Sequence, residues 1–259
     1  AAALAEEVYA EAKRWGDSWG AAMMLNLQAS IRLWAGDVET SRSLAERSLA
    51  VFRRIDDRFG VVQALGTLTR SLVALGRTAD VERAVEEMVV IADAFGELAY
   101  PMQAAAGASM HAGRGERAVE LAAQAINRLG HSGASVDEAR VVLAFGKILT
   151  GDAEGALVEL LPVDVERSPF ALAARATAHA LLGDCRAALA DVECLESLAA
   201  RPGATVSYWD RWVARVAGLA ASRAEGVALV EDAEAESLAG VTDVVVRAYA
   251  SDVLSRLAG

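Results

Sequence analysis

Three histidines, His111, His131 and His179, and two cysteines, Cys185 and Cys194, are the side chains best suited to metal binding or nucleophilic chemistry in this chain of 259 residues. No two histidines stand at His-x-x-x-His spacing, and no cysteine stands at zinc-ligand spacing from another ligand, so the pattern predicts no metal site. The cysteines are nine residues apart on one predicted helix, roughly 13 Å along its axis. A disulfide needs Cα atoms within about 7 Å, so the two are expected as free thiols of a reducing cytosol. Ser132 adjoins His131, but adjacency within a predicted loop does not aim a base at a nucleophile. Gly146-Lys147-Ile148 lacks the hydroxyl of a phosphate-binding loop and falls inside a helical pattern. Paired acids at Glu6-Glu7, Asp56-Asp57, Glu86-Glu87 and through Glu231 to Glu236 could serve acid–base chemistry only if one were buried. Their spacing puts them on outer helix faces, where a solvated acidic surface is expected. No catalytic residue, cofactor or metal is predicted.

The elements that position these residues are helices in a repeated arrangement. Gly36-Asp37, Gly76-Arg77, Gly113-Arg114, Gly151-Asp152 and Gly183-Asp184 recur with gaps of 40, 37, 38 and 32 residues. Each follows an apolar helical stretch and precedes an Ala- and Glu-rich one, which is the mark of a repeated helical hairpin. The first units align at a period of 40: Trp15, Ile55 and Phe95; Asp17, Asp57 and Glu97; Trp19 with Phe59; Gly20 with Gly60; Leu25 with Leu65. Phe59, Val62, Leu65, Leu68, Leu72 and Leu75 form one helical stripe, and Val81, Val85, Met88, Val89, Ala92 and Phe95 form the facing one. Neither stripe is buried without the next hairpin, so the units must stack.

The predicted helices are 2–14, 18–35 with 38–55, 58–75 with 78–95, 97–112 with 115–129, 135–150 with a short 153–161, 168–182 with 185–199, 205–221 with 224–238, and 241–257. Ser168-Pro169 suits a helix start, Leu161-Pro162 a helix end, and 130–135 a loop. Val244-Val245-Val246 is the one β-branched run, and it reads as buried helix. The whole of 1–259 is expected to be one domain, with an entry helix over 1–16, better-matched repeats over 17–200 and degenerate helices over 201–259. The start at Ala1, inside a helical pattern, is expected to mark a piece of a longer protein. Arg outnumbers Lys strongly, and with the Ala and Val bias this suggests a GC-rich bacterial gene.

The net charge of −11 and pI of about 4.8 offer no basic stripe for phosphate contacts, so no direct nucleic-acid binding is expected. No apolar run reaches membrane-spanning length and no signal peptide is visible. A cytoplasmic protein is expected.

Counting from the turns, the chain resembles the tetratricopeptide repeat over about residues 17–200. Small residues stand seven before each turn glycine, at Ala29, Thr69, Ala106, Ala144 and Ala176. They also stand five after it at Ser41, Ala118, Ala156 and Ala188, with Val81 the exception. Gly183-Asp184-Cys185-Arg186-Ala187-Ala188-Leu189 resembles the opening of that family's second helix. The chain departs from the family in its 40-residue first units, against a standard of 34. It also places Arg32, Leu72, Ser109, Lys147 and His179 where an aromatic is usual. In this longer form it is similar to the helical-repeat regions of large bacterial transcription activators of the LuxR, antibiotic-regulatory and maltose-regulator types. The segments 49–60, 74–77 and 254–259 carry that likeness.

The resemblance implies an all-α fold, a right-handed α-solenoid of about six stacked antiparallel hairpins, whose first helices line a concave groove. It places Asn26, Ser30, Trp34, Gln63, Arg70, Tyr100, Gln103, His111 and Phe145 there as binding residues, with Glu138, Phe170 and Thr177 at equivalent positions. Asn and Gln pair with an extended backbone, aromatic rings offer flat apolar surface, and Arg70 suits a carboxylate. Trp34 equally suits a hairpin core, and Arg70 a solvated or intra-repeat ion pair. The same resemblance implies a non-enzymatic sensor of a transcriptional regulator, binding a protein, a peptide or a small effector and acting allosterically on attached modules. The alternative is an assembly scaffold. Tyr208, Trp209 and Trp212 form the densest aromatic cluster. It reads either as packing between terminal repeats or as a partner patch, including one for a second copy of the chain.

Overall fold

The computed structural model describes residues 2–95, 100–132, 135–202 and 206–224. Over these residues the chain forms twelve α-helices and no strand: α1 Ala2–Trp15, α2 Ser18–Trp34, α3 Val38–Arg54, α4 Arg58–Ala74, α5 Thr78–Phe95, α6 Tyr100–His111, α7 Gly115–Ser132, α8 Asp137–Leu149, α9 Ala153–Leu160, α10 Pro169–Leu181, α11 Cys185–Ala199 and α12 Tyr208–Ala224. A 3-10 turn, Val165–Arg167, lies between α9 and α10. Residues 225–259, which hold the expected helix 224–238 apart from its first residue and all of 241–257, with Glu231–Glu236 and Val244–Val246, lie outside the described residues, as does Glu97.

The recurring Gly-Asp dipeptide performs two jobs at once. The glycine adopts a positive φ at Gly36, Gly76, Gly113, Gly151 and Gly183, between 70° and 89°, a region that costs a residue with a Cβ. The following residue donates its N–H back into the finished helix, as Asp37 does to the Arg32 carbonyl at 2.9 Å. Its carboxylate then opens the next helix. Asp37, Asp152 and Asp184 accept from the amides of Thr40, Gly155 and Ala187, as N-cap residues do. The same joint occurs at Gly16-Asp17, and at Asp56-Asp57, where Asp56 takes a φ of 54° in place of glycine. The turns of the first units therefore fall every 20 residues, at 16, 36, 56 and 76.

Consecutive helices pack as antiparallel pairs, and α2, α4, α6, α8 and α10 also touch the next of their own series. The crossing points are the small positions counted from the turns. Ala29, Thr69, Ala106, Ala144 and Ala176, and Ser41, Val81, Ala118, Ala156 and Ala188, are all at most 2% exposed. At one crossing the hydroxyls of Ser41 and Ser71 meet at 2.9 Å, so the buried polar groups satisfy each other. Among the outer helices, Arg53 bonds Glu87 of α5 at 2.6 Å, and Arg117 and Arg128 of α7 bond Glu86 and Asp93 at 3.1 and 2.8 Å. These pairs are exposed and worth a few tenths of a kcal/mol each. Between α10 and α11, Asp191 is buried and takes Arg175 in a fork, with Nη2 at 2.6 Å from Oδ1 and Nε at 3.0 Å from Oδ2. Both cysteines are free thiols.

Two helices end three residues later than the sequence reading places them: α12 runs to Ala224 rather than 221, and α7 to Ser132 rather than 129. The loop expected over 130–135 starts later, because α7 continues through Ser132. Gly130 is not among the glycines with positive φ, and a helix already formed extends at low cost past a single glycine.

Candidate binding cavity on the concave face

The inner helices lie parallel, so positions at equal distance before each turn fall side by side. Together they enclose a cavity of about 400 Å³. Ser30, Leu33 and Trp34 come from the end of α2; Gln63, Gly66, Thr67 and Arg70 from α4; and Tyr100, Gln103, Gly107 and His111 from α6. Glu138 and Val142 of α8, Phe170 of α10, and Ser207 and Asp210 at the start of α12 complete the lining. The volume falls in the range of small-ligand sites.

Seven of the nine residues expected to face the groove line this cavity. Asn26 and Phe145 do not. Asn26 is 7% exposed, one turn before the part of α2 that reaches the cavity, and its Oδ1 accepts no hydrogen bond among the described residues. Phe145 is 1% exposed because two rings cover it: Phe170 stacks on it at 5.1 Å, and Trp209 meets it edge-on at 4.9 Å. Thr177, at the equivalent position of α10, is also fully buried.

Trp209 carries the main departure from a regular stack. It belongs to α12, yet its ring contacts His111 of α6 at 4.8 Å as well as Phe145 of α8 and Phe170 of α10. The start of α12 therefore crosses the concave face and closes one end of the cavity. Trp209 is 7% exposed, so of the two readings of the aromatic cluster this ring follows packing. Tyr208 and Trp212 belong to the same helix, and their side chains lie outside the described residues. Ser207 caps α12: its Oγ accepts from the Asp210 amide at 3.1 Å and donates to Asp210 Oδ2 at 2.7 Å.

The electrostatics follow from enclosure. Burial, and then the positive charge of Arg70, hold the His111 imidazole well below its ordinary value, so it is neutral. Burial raises the Asp210 carboxyl, partly offset by Ser207 and by Arg70. Burial first and then Glu138 push the Tyr100 phenol up to about 12. The Ser30 and Thr67 hydroxyls meet at 3.3 Å. No carboxylate orients His111 toward a nucleophile among the described residues, and the one serine beside it on α6, Ser109, donates to the Ala105 carbonyl. The arrangement suits recognition: flat rings at Trp34, Tyr100 and Phe170, amides at Gln63 and Gln103, and a guanidinium at Arg70.

Elsewhere the acids expected to be solvated are exposed or half-buried at Glu6, Glu7, Asp56, Asp57, Glu86 and Glu87. Among the described residues no three His, Cys, Asp or Glu side chains gather as a metal site would require, and no helix is long and apolar enough to cross a membrane. The side chain of His131 lies outside the described residues, and His179 sits on α10 with its Nδ1 3.9 Å from Asp184. Sequence reasoning missed Gly66, Gly107 and Asp210. The two glycines occupy groove positions, ten and six before their turns, but offer no side chain to notice. Asp210 lies beyond the last turn of the repeat pattern.

No family model matches this sequence, and no curated protein matches it either. Among solved structures, a tetratricopeptide repeat protein from Parabacteroides merdae is similar over 100% of this chain and 99% of its own, at 13% identity and a TM-score of 0.53. BtubC (BKLC) from P. vanneervenii aligns over 100% of this chain and 91% of its own, at 17% identity; its TM-score of 0.35 is too low to bear on the fold. The likeness to the first structure concerns the fold alone, and with the helical pairing it makes this chain an all-α solenoid of the tetratricopeptide-repeat type.

Proposed function

We propose that this chain is a non-enzymatic binding and sensing domain whose concave cavity holds an effector or a partner segment. One observation carries the reading: Ser30 of α2 and Asp210 of α12 line the same cavity. A single occupant touches the first and last inner helices of the described solenoid and so sets its pitch. An occupant that prefers one pitch shifts the population toward it, and attached modules sense the change. The fold supports a protein-interaction or scaffold role. The finer assignment, a sensor of a cytoplasmic bacterial transcriptional regulator, draws on the sequence likeness of segments 49–60, 74–77 and 254–259.

Gln103→Trp fills the cavity from α6 and provides the test. In a thermal-shift screen of small effectors and peptides, a ligand at about a hundred times its Kd adds roughly 2.7 kcal/mol of stability. That shift is expected in the wild type and absent in Gln103→Trp. A shift of equal size in both proteins places the ligand elsewhere and refutes the cavity, as does a screen with no ligand at all.

A second reading, an assembly scaffold, is favoured by a different feature. Leu4, Val8 and Trp15 are 63%, 41% and 77% exposed and fall within one narrow arc of α1 at 100° per residue. Such a stripe suits a second copy of the chain. Light scattering of the wild type against Val8→Glu/Trp15→Glu separates the readings: a dimer lost in the variant favours assembly.

A further inference from the structure

Two glycines in the cavity wall lack a reason within the protein. Gly66 lies in the middle of α4 and Gly107 in the middle of α6, where glycine weakens a helix relative to alanine. Mid-helix glycines are usually tolerated for close packing. A Cβ at Gly60 or Gly146 would strike Phe52 or Val119, but a Cβ at Gly66 or Gly107 would meet nothing within 4 Å. The space above both is open, and both border the cavity. Counted from their turns, Gly66 lies level with Gln103 and Gly107 level with Arg70, about 6 Å apart along the helix axes. With Ala104 and Ala108 beside them they form a smooth floor made largely of helix backbone.

Two half-buried amides stand beside this floor. Gln63 and Gln103 both border the cavity, and neither side-chain amide has a hydrogen-bond partner among the described residues. Each offers a donor beside an acceptor in one plane. Trp34 and Tyr100 border the cavity with aromatic rings, and Ser207 and Asp210 border it from the start of α12.

We infer that the cavity binds one planar heteroaromatic molecule, lying flat on Gly66 and Gly107 with its donor–acceptor edge read by the amides of Gln63 and Gln103. A flat ring approaches helix backbone only where no Cβ intervenes, and the aromatic side chains of Trp34 and Tyr100 add apolar contact around it. The amide edge then discriminates rings that present a donor next to an acceptor from rings that do not. This inference rests on the cavity being the binding site, and it adds the chemical class of the ligand.

The probes are adenine, guanine, cytosine and pterin, followed by tryptophan fluorescence and by amide chemical shifts of α4 and α6. Caffeine serves as a planar control with its donors methylated, and myo-inositol and trialanine as non-planar controls. At least one donor–acceptor heterocycle is expected to bind at submillimolar concentration, with caffeine at least tenfold weaker. Gly66→Ala and Gly107→Ala are expected to melt at or above the wild-type temperature yet bind tenfold or more weakly. That combination separates a blocked floor from a damaged fold. The inference is overturned if no planar probe binds at millimolar concentration, or if Gly107→Ala binds as well as the wild type. It is also overturned if caffeine binds as tightly as the bases. If inositol, trialanine or a screen hit binds and is excluded by Gln103→Trp, the planar class fails and the binding-domain reading stands. If nothing binds anywhere, both fall.

Discussion

The same substitution, Gly→Ala, is expected to have opposite effects at two places six residues apart on α4. At Gly60 an added Cβ would stand 2.1 Å from Phe52 Cδ1 and 2.3 Å from Cε1. Carbon atoms pack at about 3.5 Å, so the ring must retreat by about 1.4 Å. Phe52 is fully buried in the continuous core and has no free volume to enter. Overpacking of this kind costs about 1–3 kcal/mol. Helix propensity returns at most about 1 kcal/mol, and less in the first turn, where Gly60 lies. The net expectation is a loss of about 1–2 kcal/mol. At Gly66 the Cβ meets nothing, so only the propensity remains, a gain of about 0.5–1 kcal/mol. Urea denaturation followed by circular dichroism measures both, and midpoint shifts of opposite sign are expected. Phe52→Leu should recover part of the Gly60→Ala loss, with a coupling above about 0.5 kcal/mol in a double-mutant cycle. Equal stability of Gly60→Ala and Gly66→Ala, or zero coupling to Phe52, would refute the close approach of α3 and α4.

Three further outcomes follow from the described contacts. Asp191→Ala leaves the Arg175 guanidinium without its fork in a half-buried site and should cost about 2–3 kcal/mol in urea; a change under about 0.5 kcal/mol contradicts the pairing of α10 with α11. His111 has a depressed pKa, so the folded state binds its proton less readily than the unfolded state. Its contribution is complete above the unfolded value near 6.5 and is lost as pH falls below it, by up to about 1.4 kcal/mol per pH unit. Asp210, with a raised pKa, has the opposite sign, and its contribution is lost as pH rises from about 3.8 through its folded value. Stability measured from pH 7 to 5 should therefore fall less in His111→Gln than in the wild type, and parallel curves would remove His111 from the buried wall. Finally, Asp56→Gly relieves a positive φ at a non-glycine residue and should stabilise by about 1 kcal/mol, whereas Asp56→Val should destabilise; thermal melts of the pair check the sign.

The local joints of this protein were legible in the sequence. Gly36, Gly76, Gly113, Gly151 and Gly183 stand where the backbone turns left-handed, and an aspartate after three of them caps the next helix. These are short-range requirements, met within a few residues, so their types and spacing declare them. The small residues at Ala29 and Ser41 and their equivalents declare the crossings for a similar reason, since only a small side chain lets two helix backbones approach. Register then brought Gln63, Arg70, Gln103 and His111 to one face, because parallel helices with equal offsets align their side chains.

Residue spacing thus specifies the hairpin and its inward and outward faces. Which inward positions remain open depends on how distant helices pack together. Phe145 shares its register with Arg70 and Gly107 but is sealed by Phe170 and Trp209, rings from helices 25 and 64 residues further on. Gly66 and Gly107 gain meaning only from the empty space above them. The landing of α12 across the concave face depends on the summed curvature of all the preceding hairpins. No local spacing encodes that sum, and it turned an open groove into a cavity closed at one end.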